Sequence, residues 1–523
     1  MVIRSPYPDV EIPEVSLYDF LFSDFGDRGA AAAFIDGSTG ASMSFDEFRR
    51  TVDTIAAALA ERGVRAGDVV GVFAPNSPQW AAVFHGVLRA NATVTSTNSL
   101  YSAGELAHQL IDSGARMLFT ISPFLDRATA AMREAGRSMD EIVVLDAAEG
   151  FTSLRELLAT TAAPPEHTVG PGDTAVLPYS SGTTGRAKGV ILTHRNLVAN
   201  LCQVEPVFQL DSDARILAVL PFFHIYGMTV MMNNGLYLRA TVVTMPRFDL
   251  AEFLRVISAH QVNTVYIAPP IAVALAKHPI VENYDVSCIE KVLSGAAPLD
   301  AELGHAVAKR LGCEVRQGYG MTELSPVSHA IPRDKPDMDL SSVGVTLPNI
   351  TCKLVDPETG AEVGPGGRGE LWVRGPNVMT GYLNDPEATA ITLDDEGYLH
   401  TGDVAEVTEE GVFSIVDRVK ELIKYKGYQV PPAELEALLL THDAIADAAV
   451  IGVRDADGEE VPKAFVVRQA GAELTGEDVM AFVAMRIAPH KKVRQVEFIE
   501  QIPKSAAGKI LRKDLRAREA TSG

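Results

Sequence analysis

Apolar positions along the first 400 residues alternate between two rhythms. Residues 69–73 form an unbroken apolar run, which reads as a buried strand closed by the turn Pro75-Asn76-Ser77-Pro78. Residues 79–88 then repeat apolar side chains at helical spacing, through Trp80, Val83, Phe84 and Val87. Residues 103–113 predict a further helix and 117–120 the next strand. The pattern returns with strands at 216–220, 241–244, 264–268 and 291–293. Strands that alternate with helices predict parallel sheets covered by helices.

After Pro348 the pattern changes. Residues 343–416 place short strands (351–355, 369–374, 404–408 and 412–416) between Gly- and Pro-rich turns, which predicts a smaller antiparallel barrel or meander. Beyond Asp417-Arg418 a compact α+β pattern begins. It comprises a strand pair at 422–430, a helix at 432–441 with Pro in its first turn, strands at 448–453 and 463–468, a helix at 477–487 and a last strand at 496–499. The main boundary is predicted at 418–420.

Composition narrows the class. The chain has 523 residues, 47% of them hydrophobic and 22% charged, which is enough apolar surface to form a large core rather than a disordered chain. The net charge of -22 argues against a nucleic-acid partner, which needs a basic face. It leaves room for a small anion held by a few placed cations. Cys202, Cys288, Cys313 and Cys352 form no CxxC pair, so neither a disulfide framework nor a zinc site is expected, and the expected compartment is reducing and cytoplasmic. The first residues do not resemble a signal peptide, and no run of about 18 apolar residues predicts a membrane span.

Candidate chemistry is concentrated in Tyr179-Ser180-Ser181-Gly182-Thr183-Thr184-Gly185-Arg186-Ala187-Lys188-Gly189. Glycines let backbone N–H groups approach an anion, hydroxyls add neutral donors, and Lys188 adds a mobile charge. That set suits a polyphosphate, although a solvated turn has the same composition. It is not a Walker loop, because Gly-Lys-Ser/Thr is missing and residues 190–193 read as a strand. The run Gly364-Pro365-Gly366-Gly367-Arg368-Gly369 fits GxGxxG but precedes a strand and contains Pro, so it reads as a turn. No GxSxG elbow supports a serine hydrolase.

The loop at 179–189 resembles the phosphate loop of the adenylate-forming superfamily, which includes acyl-CoA synthetases, amino-acid adenylation domains and beetle luciferases. Three further segments match that family in order. Gln317-Gly318-Tyr319-Gly320-Met321-Thr322-Glu323 resembles its adenine-side and magnesium segment. Tyr398-Leu399-His400-Thr401-Gly402-Asp403 resembles its ribose segment, and Pro503-Lys504-Ser505-Ala506-Ala507-Gly508-Lys509 its catalytic-lysine loop. Within the superfamily, Pro221-Phe222-Phe223-His224-Ile225-Tyr226-Gly227, Ser294-Gly295-Ala296-Ala297-Pro298-Leu299 and the run 421–430 look most like 4-coumarate–CoA ligases.

The resemblance implies an α/β fold. A large N-terminal domain of helix-covered sheets with a small β-barrel-like region would span 1–417, and a small mobile α+β lid would span 418–523. It implies ATP, Mg²⁺ and CoA as co-substrates and cofactor. Ser180, Ser181, Gly182, Thr183, Thr184 and Lys188 would hold phosphates, and Gln317, Gly318, Tyr319 and Thr322 would hold the adenine side. Glu323, an acceptor-only carboxylate, suits Mg²⁺. Asp403 can accept two hydroxyl hydrogen bonds from a ribose, with Arg418 as the second contact.

Lys509 would bridge the carboxylate substrate and the α-phosphate, and His224 would gate the acyl carbonyl. Tyr226, Ala296, Gly318, Gly320, Pro326 and Val327 would line the acyl pocket. Lys424 and Gln429 would contact the acyl-adenylate, Arg247, Lys426 and Gly427 would contact CoA, and Lys420 would mark the hinge. Small residues beside an aromatic one favour a flat, mostly apolar acid. With Phe222 and Phe223 where an α-ammonium would need an acid, an amino-acid substrate is disfavoured. The implied reaction is acyl-adenylate formation followed by thioester formation on 4-coumarate- or cinnamate-type acids. A fatty acyl-CoA ligase, an enzyme loading a carrier protein, a luciferase-like oxidation and a binding protein without turnover remain as alternatives.

Overall fold

The computed structural model describes residues 1–180, 187–425, 428–455, 459–505 and 508–522. The predicted strand–helix alternation forms two nine-stranded, largely parallel sheets. In the first, Val69–Phe73 runs parallel to Thr93–Ser96 and Met117–Thr120. In the second, Arg215–Ala218 lies parallel between Thr241–Thr244 and Thr264–Ile267, and the sheet continues in parallel through Lys291–Ser294 to Glu314–Gly320. Ligand sites in such sheets lie beyond the carboxyl ends of the strands. Those ends carry Ile267, Ser294 and Gly320.

The helices form where caps and apolar faces agree. Phe45–Glu61 opens with a capping box between Ser44 and Glu47 and buries Phe45, Phe48, Val52, Ile55 and Leu59, one face of a helix. Pro78–Arg89 starts at the cap Ser77 with Pro in its first turn, and its Trp80 is fully buried against Phe84 and Phe222.

The Gly- and Pro-rich region forms a six-stranded antiparallel sheet built on Thr351–Val355, Arg368–Arg374, Leu399–Val407 and Phe413–Arg418. Three short strands differ from the sequence expectation. The N-terminal strand Ile3–Arg4 joins this sheet by pairing with Thr351 and Cys352, a contact that two residues carry no periodicity to announce. Val345–Thr346 belongs instead to the second large sheet, paired with Val327–Ala330, and Gly381–Tyr382 pairs with Lys188–Thr193 of the first. The GxGxxG run is, as expected, the turn leading into Arg368–Arg374.

Beyond Arg418, Ile423–Tyr425 pairs with Tyr428–Val430, and Ile445–Arg454, Glu460–Arg468 and Gln495–Phe498 form a three-stranded sheet with helices Pro432–Leu440, Gly476–Ala484 and Arg512–Ser522. Among the described residues, no buried apolar cluster draws members from both sides of 414–422. The two parts touch through polar links, such as Lys277 Nζ donating to the Leu440 carbonyl at 2.8 Å. Among the described residues, no helix is long and apolar enough to cross a membrane.

Candidate active site

Asp403 sits opposite Arg418 in the antiparallel pair Leu399–Val407 and Phe413–Arg418. Its Oδ2 accepts a 2.6 Å hydrogen bond from Tyr319 Oη, at the end of Glu314–Gly320, and its Oδ1 lies 3.5 Å from Arg418 Nε. Burial, then the Asp403 charge, holds the Tyr319 hydroxyl well above its usual pKa, so it stays a donor. A buried carboxylate fixed by two donors on one side is oriented to accept from a diol on the other.

Glu323 is buried in the short helix Thr322–Leu324, and its Oε1 accepts from Ser180 Oγ at 3.0 Å and Tyr382 Oη at 2.9 Å. Among the described residues, no three His, Cys, Asp or Glu side chains gather as a metal cage. A lone anchored carboxylate still fits Mg²⁺, which takes one or two carboxylates and fills its shell from phosphates and water. Ser180 also lies at the base of the loop expected to hold phosphate, where Tyr179–Ser180 pairs with Lys188 and Gly189. Ser181, Gly182, Thr183 and Thr184 lie outside the described residues. Lys188 Nζ is 3.4 Å from Asp385 Oδ2 and 5.1 Å from the Tyr382 ring centre.

Beside these groups lies a cavity of about 580 Å³, its open mouth included. Its walls include all six residues expected there from sequence: Tyr226, Ala296, Gly318, Gly320, Pro326 and Val327. Glycine is required by close approach. A Cβ at Gly320 would lie 2.3 Å from the Pro326 carbonyl oxygen, and one at Gly295 would lie 3.0 Å from the Tyr226 ring. Tyr226 opens a π-helix, Tyr226–Asn233, and its Oη donates to the Leu293 carbonyl at 3.2 Å. The Gln317 amide is buried and spent on Leu299 and Leu340, so it shapes the wall. Thr322 is half-buried beside Glu323.

Sequence reasoning missed Val230, Tyr266, Ser294 and Arg316, which also line the cavity. Val230 follows Tyr226 by one turn, a signal that only a helical reading of 226–233 would have revealed.

His224 lines the same cavity, with Nδ1 accepting from the Tyr226 N–H at 3.2 Å. Shielding from water, with the Lys509 charge adding to it, pushes its pKa down to about 4, so the ring is neutral. Lys509 itself is pushed down to about 8 by burial and by Arg418, against the pull of Asp403 and Glu323. Its loop is clasped by a bridge between Lys504 and Ile510 and by Ser505 N–H donating to the Lys509 carbonyl at 2.8 Å. A Cβ at Gly508 would lie 3.3 Å from Ala268 Cβ, so the loop docks against the large part of the chain.

Not every expected residue is gathered here. Lys424 is exposed, its Nζ 4.0 Å from Glu358 in the turn after Thr351–Val355. Arg247 and Lys420 are exposed. Lys426 and Gly427 lie outside the described residues, as does the Gln429 side chain.

The family model described as AMP-binding enzyme matches residues 24–383, and that of the AMP-binding enzyme C-terminal domain matches 434–509. The chain belongs to the AMP-binding enzyme family. It is 41% identical over 529 residues to 4-coumarate--CoA ligase 3 of Oryza sativa subsp. japonica, covering 99% of this chain and 95% of that one. Among solved structures, it is similar to the anthranilate CoA ligase AuaEII in complex with anthranoyl-AMP (TM-score 0.90, 26% identity, 98% and 99% of the two chains). It is also similar to ATP-bound MatB from Rhodopseudomonas palustris (TM-score 0.88, 28% identity, 97% and 99%). Both solved structures match the fold of this chain along nearly its whole length.

Proposed function

We propose that this chain is an ATP-dependent, AMP-forming acid–CoA ligase acting on 4-coumarate- or cinnamate-type acids. The observation that carries the reading is the electrostatic meeting of Lys509 with Asp403, Arg418 and Glu323 on one side and His224 of the acyl cavity on the other. A cation there spans the place where a carboxylate and a nucleotide α-phosphate would react. The family and the ligase relatives support the activity. The cavity, with an aromatic wall at Tyr226 and glycines where it narrows, supports a flat acid over a long flexible chain.

In the first half-reaction a carboxylate oxygen attacks the α-phosphorus of ATP, and the bond to pyrophosphate breaks. Asp403 and Arg418 orient the ribose, Ser180 and Lys188 contact the phosphates with the rest of the loop, and Lys509 offsets the charge that builds on the reacting oxygens. Glu323 would hold Mg²⁺, which neutralises phosphate charge when bound. Neutral His224 gates the cavity beside the carbonyl.

In the second half-reaction the CoA sulfur attacks the acyl carbon, the bond to AMP breaks, and the thiol proton leaves to water. We propose that residues 418–523 turn as a unit about 418–420 between the two steps. That motion withdraws Lys509 and brings Lys424 and Gln429 to the adenylate, with Arg247, Lys426 and Gly427 toward CoA. All four cysteines are free, in keeping with a cytoplasmic setting. Acid-dependent exchange of labelled pyrophosphate into ATP tests the first step. Exchange with 4-coumarate is expected, and its absence with every acid would overturn the reading.

A further inference from the structure

Asp417 closes the last strand before the hinge, held in the antiparallel sheet opposite Val404. It is buried, and its two oxygens point in different directions. Oδ1 accepts from the Arg418 N–H at 2.7 Å, and Oδ2 accepts from the Ala433 N–H at 2.9 Å. Ala433 is in the first turn of helix Pro432–Leu440, beyond the hinge. First-turn N–H groups have no partner within their own helix, and the cap residue Pro431 offers no side chain to accept from them. Asp417 therefore caps a helix of the other part of the chain, with its charge at the positive end of the helix dipole.

The same carboxylate faces Arg512, three residues after Lys509. Arg512 Nη2 reaches both oxygens of buried Glu436, at 2.6 and 2.7 Å, and its Nε donates to the Val450 carbonyl at 3.2 Å. Glu436 lies on the helix that Asp417 caps. Lys504, on the other side of the lysine loop, is 2.6 Å from Asp447. Both ends of the loop are thus fixed to the small part of the chain, and Asp417 ties that part to the sheet bearing Asp403. The other charges facing Asp417 are Glu421 and Glu436, which oppose it.

We propose that Asp417 is a positioning residue for acyl-adenylate formation, holding helix Pro432–Leu440 and Arg512 so that Lys509 stays over the Asp403–Arg418 pair. This rests on the proposed ligase reading and its turn about 418–420. Asp417 is hydrogen-bonded into the sheet before the hinge, so that turn carries Ala433 and Arg512 away from it. A contact made in only one of two orientations stabilises that orientation alone.

The test measures both half-reactions on the full chain. The first is pyrophosphate exchange with 4-coumarate, and the second is thioester formation from supplied 4-coumaroyl-AMP and CoA. Asp417→Ala should lower exchange roughly five- to thirtyfold, the scale of a lost cap, and leave the thioester step within about twofold or faster. Asp417→Asn keeps the size and one of the two acceptor oxygens and removes the charge, so it should fold even where the alanine variant does not and give a smaller loss of exchange alone. An equal fall in both steps, or no fall in exchange, overturns the proposal. Lys509→Ala is the control on the underlying reading. If it too fails to separate the steps, that reading falls; if it separates them and the Asp417 variants do not, only the role of Asp417 falls.

Discussion

Tyr319 and Asp403 are joined by a 2.6 Å hydrogen bond that ties the last residues of a parallel strand in one sheet to an antiparallel strand in another. The bond orients the carboxylate proposed to hold a ribose and leaves its other oxygen toward Arg418. Tyr319→Phe removes the donor but keeps the ring. A hydrogen bond to a charged group contributes about 1.5–3 kcal/mol, so kcat/KM for ATP should fall roughly ten- to hundredfold. Steady-state kinetics at saturating acid would check this, and an unchanged value would deny Asp403 its orienting partner.

The Lys509 charge gives the first half-reaction a pH limit. Its pKa in the free protein is pushed down to about 8, so the cation is present below that pH and lost as pH rises through it. The kcat/KM for acyl-adenylate formation, which reports groups of the free enzyme, should therefore decline above pH about 8. Lys509→Arg keeps a charge that does not titrate in this range. That variant should be slower but lack the alkaline decline, as a pH–rate profile of pyrophosphate exchange would show.

The acyl cavity makes a prediction about shape. The Tyr226 ring lies against Gly295, where an added Cβ would be only 3.0 Å from it. Gly295→Ala pushes the ring into the cavity and should lower kcat/KM for ring acids by about tenfold, the scale of one or two misplaced methylene-sized groups. Tyr226→Ala opens the wall and should raise the relative use of longer or bulkier acids. A competition assay with paired acids reads both effects.

Glu436 and Arg512 are both largely buried and chelated. Glu436→Ala leaves the guanidinium without its partner and should cost about 3–5 kcal/mol. Thermal unfolding should show the loss, and a shift within error of the parent protein would mean that Arg512 finds water or another acid instead.

Much of this site is legible in the sequence because its chemistry is local. The strands at 69–73 and 117–120 stand where apolar runs place them, and the segments around Glu323, Asp403 and Lys509 carry their residue types in short, ordered runs. What was not legible depends on distant partners. The strand Ile3–Arg4 exists only because Thr351 and Cys352 lie beside it. Val345–Thr346 reads as part of the turn-rich region, yet it pairs with Val327–Ala330 across the chain. Tyr266, Ser294 and Arg316 sit on three different strands and meet only because the parallel sheet aligns their ends. Asp417 looks like an ordinary turn residue until the helix beginning at Pro432 is folded back onto it.

AMP formation from ATP, with and without CoA, across 4-coumarate, cinnamate, caffeate, benzoate and fatty acids of several lengths tests the central claim most directly. CoA-dependent turnover is expected, strongest with the cinnamate-type acids and accompanied by thioester and pyrophosphate in equal amounts. Turnover chiefly with fatty acids, or pyrophosphate release with no thioester, would contradict it.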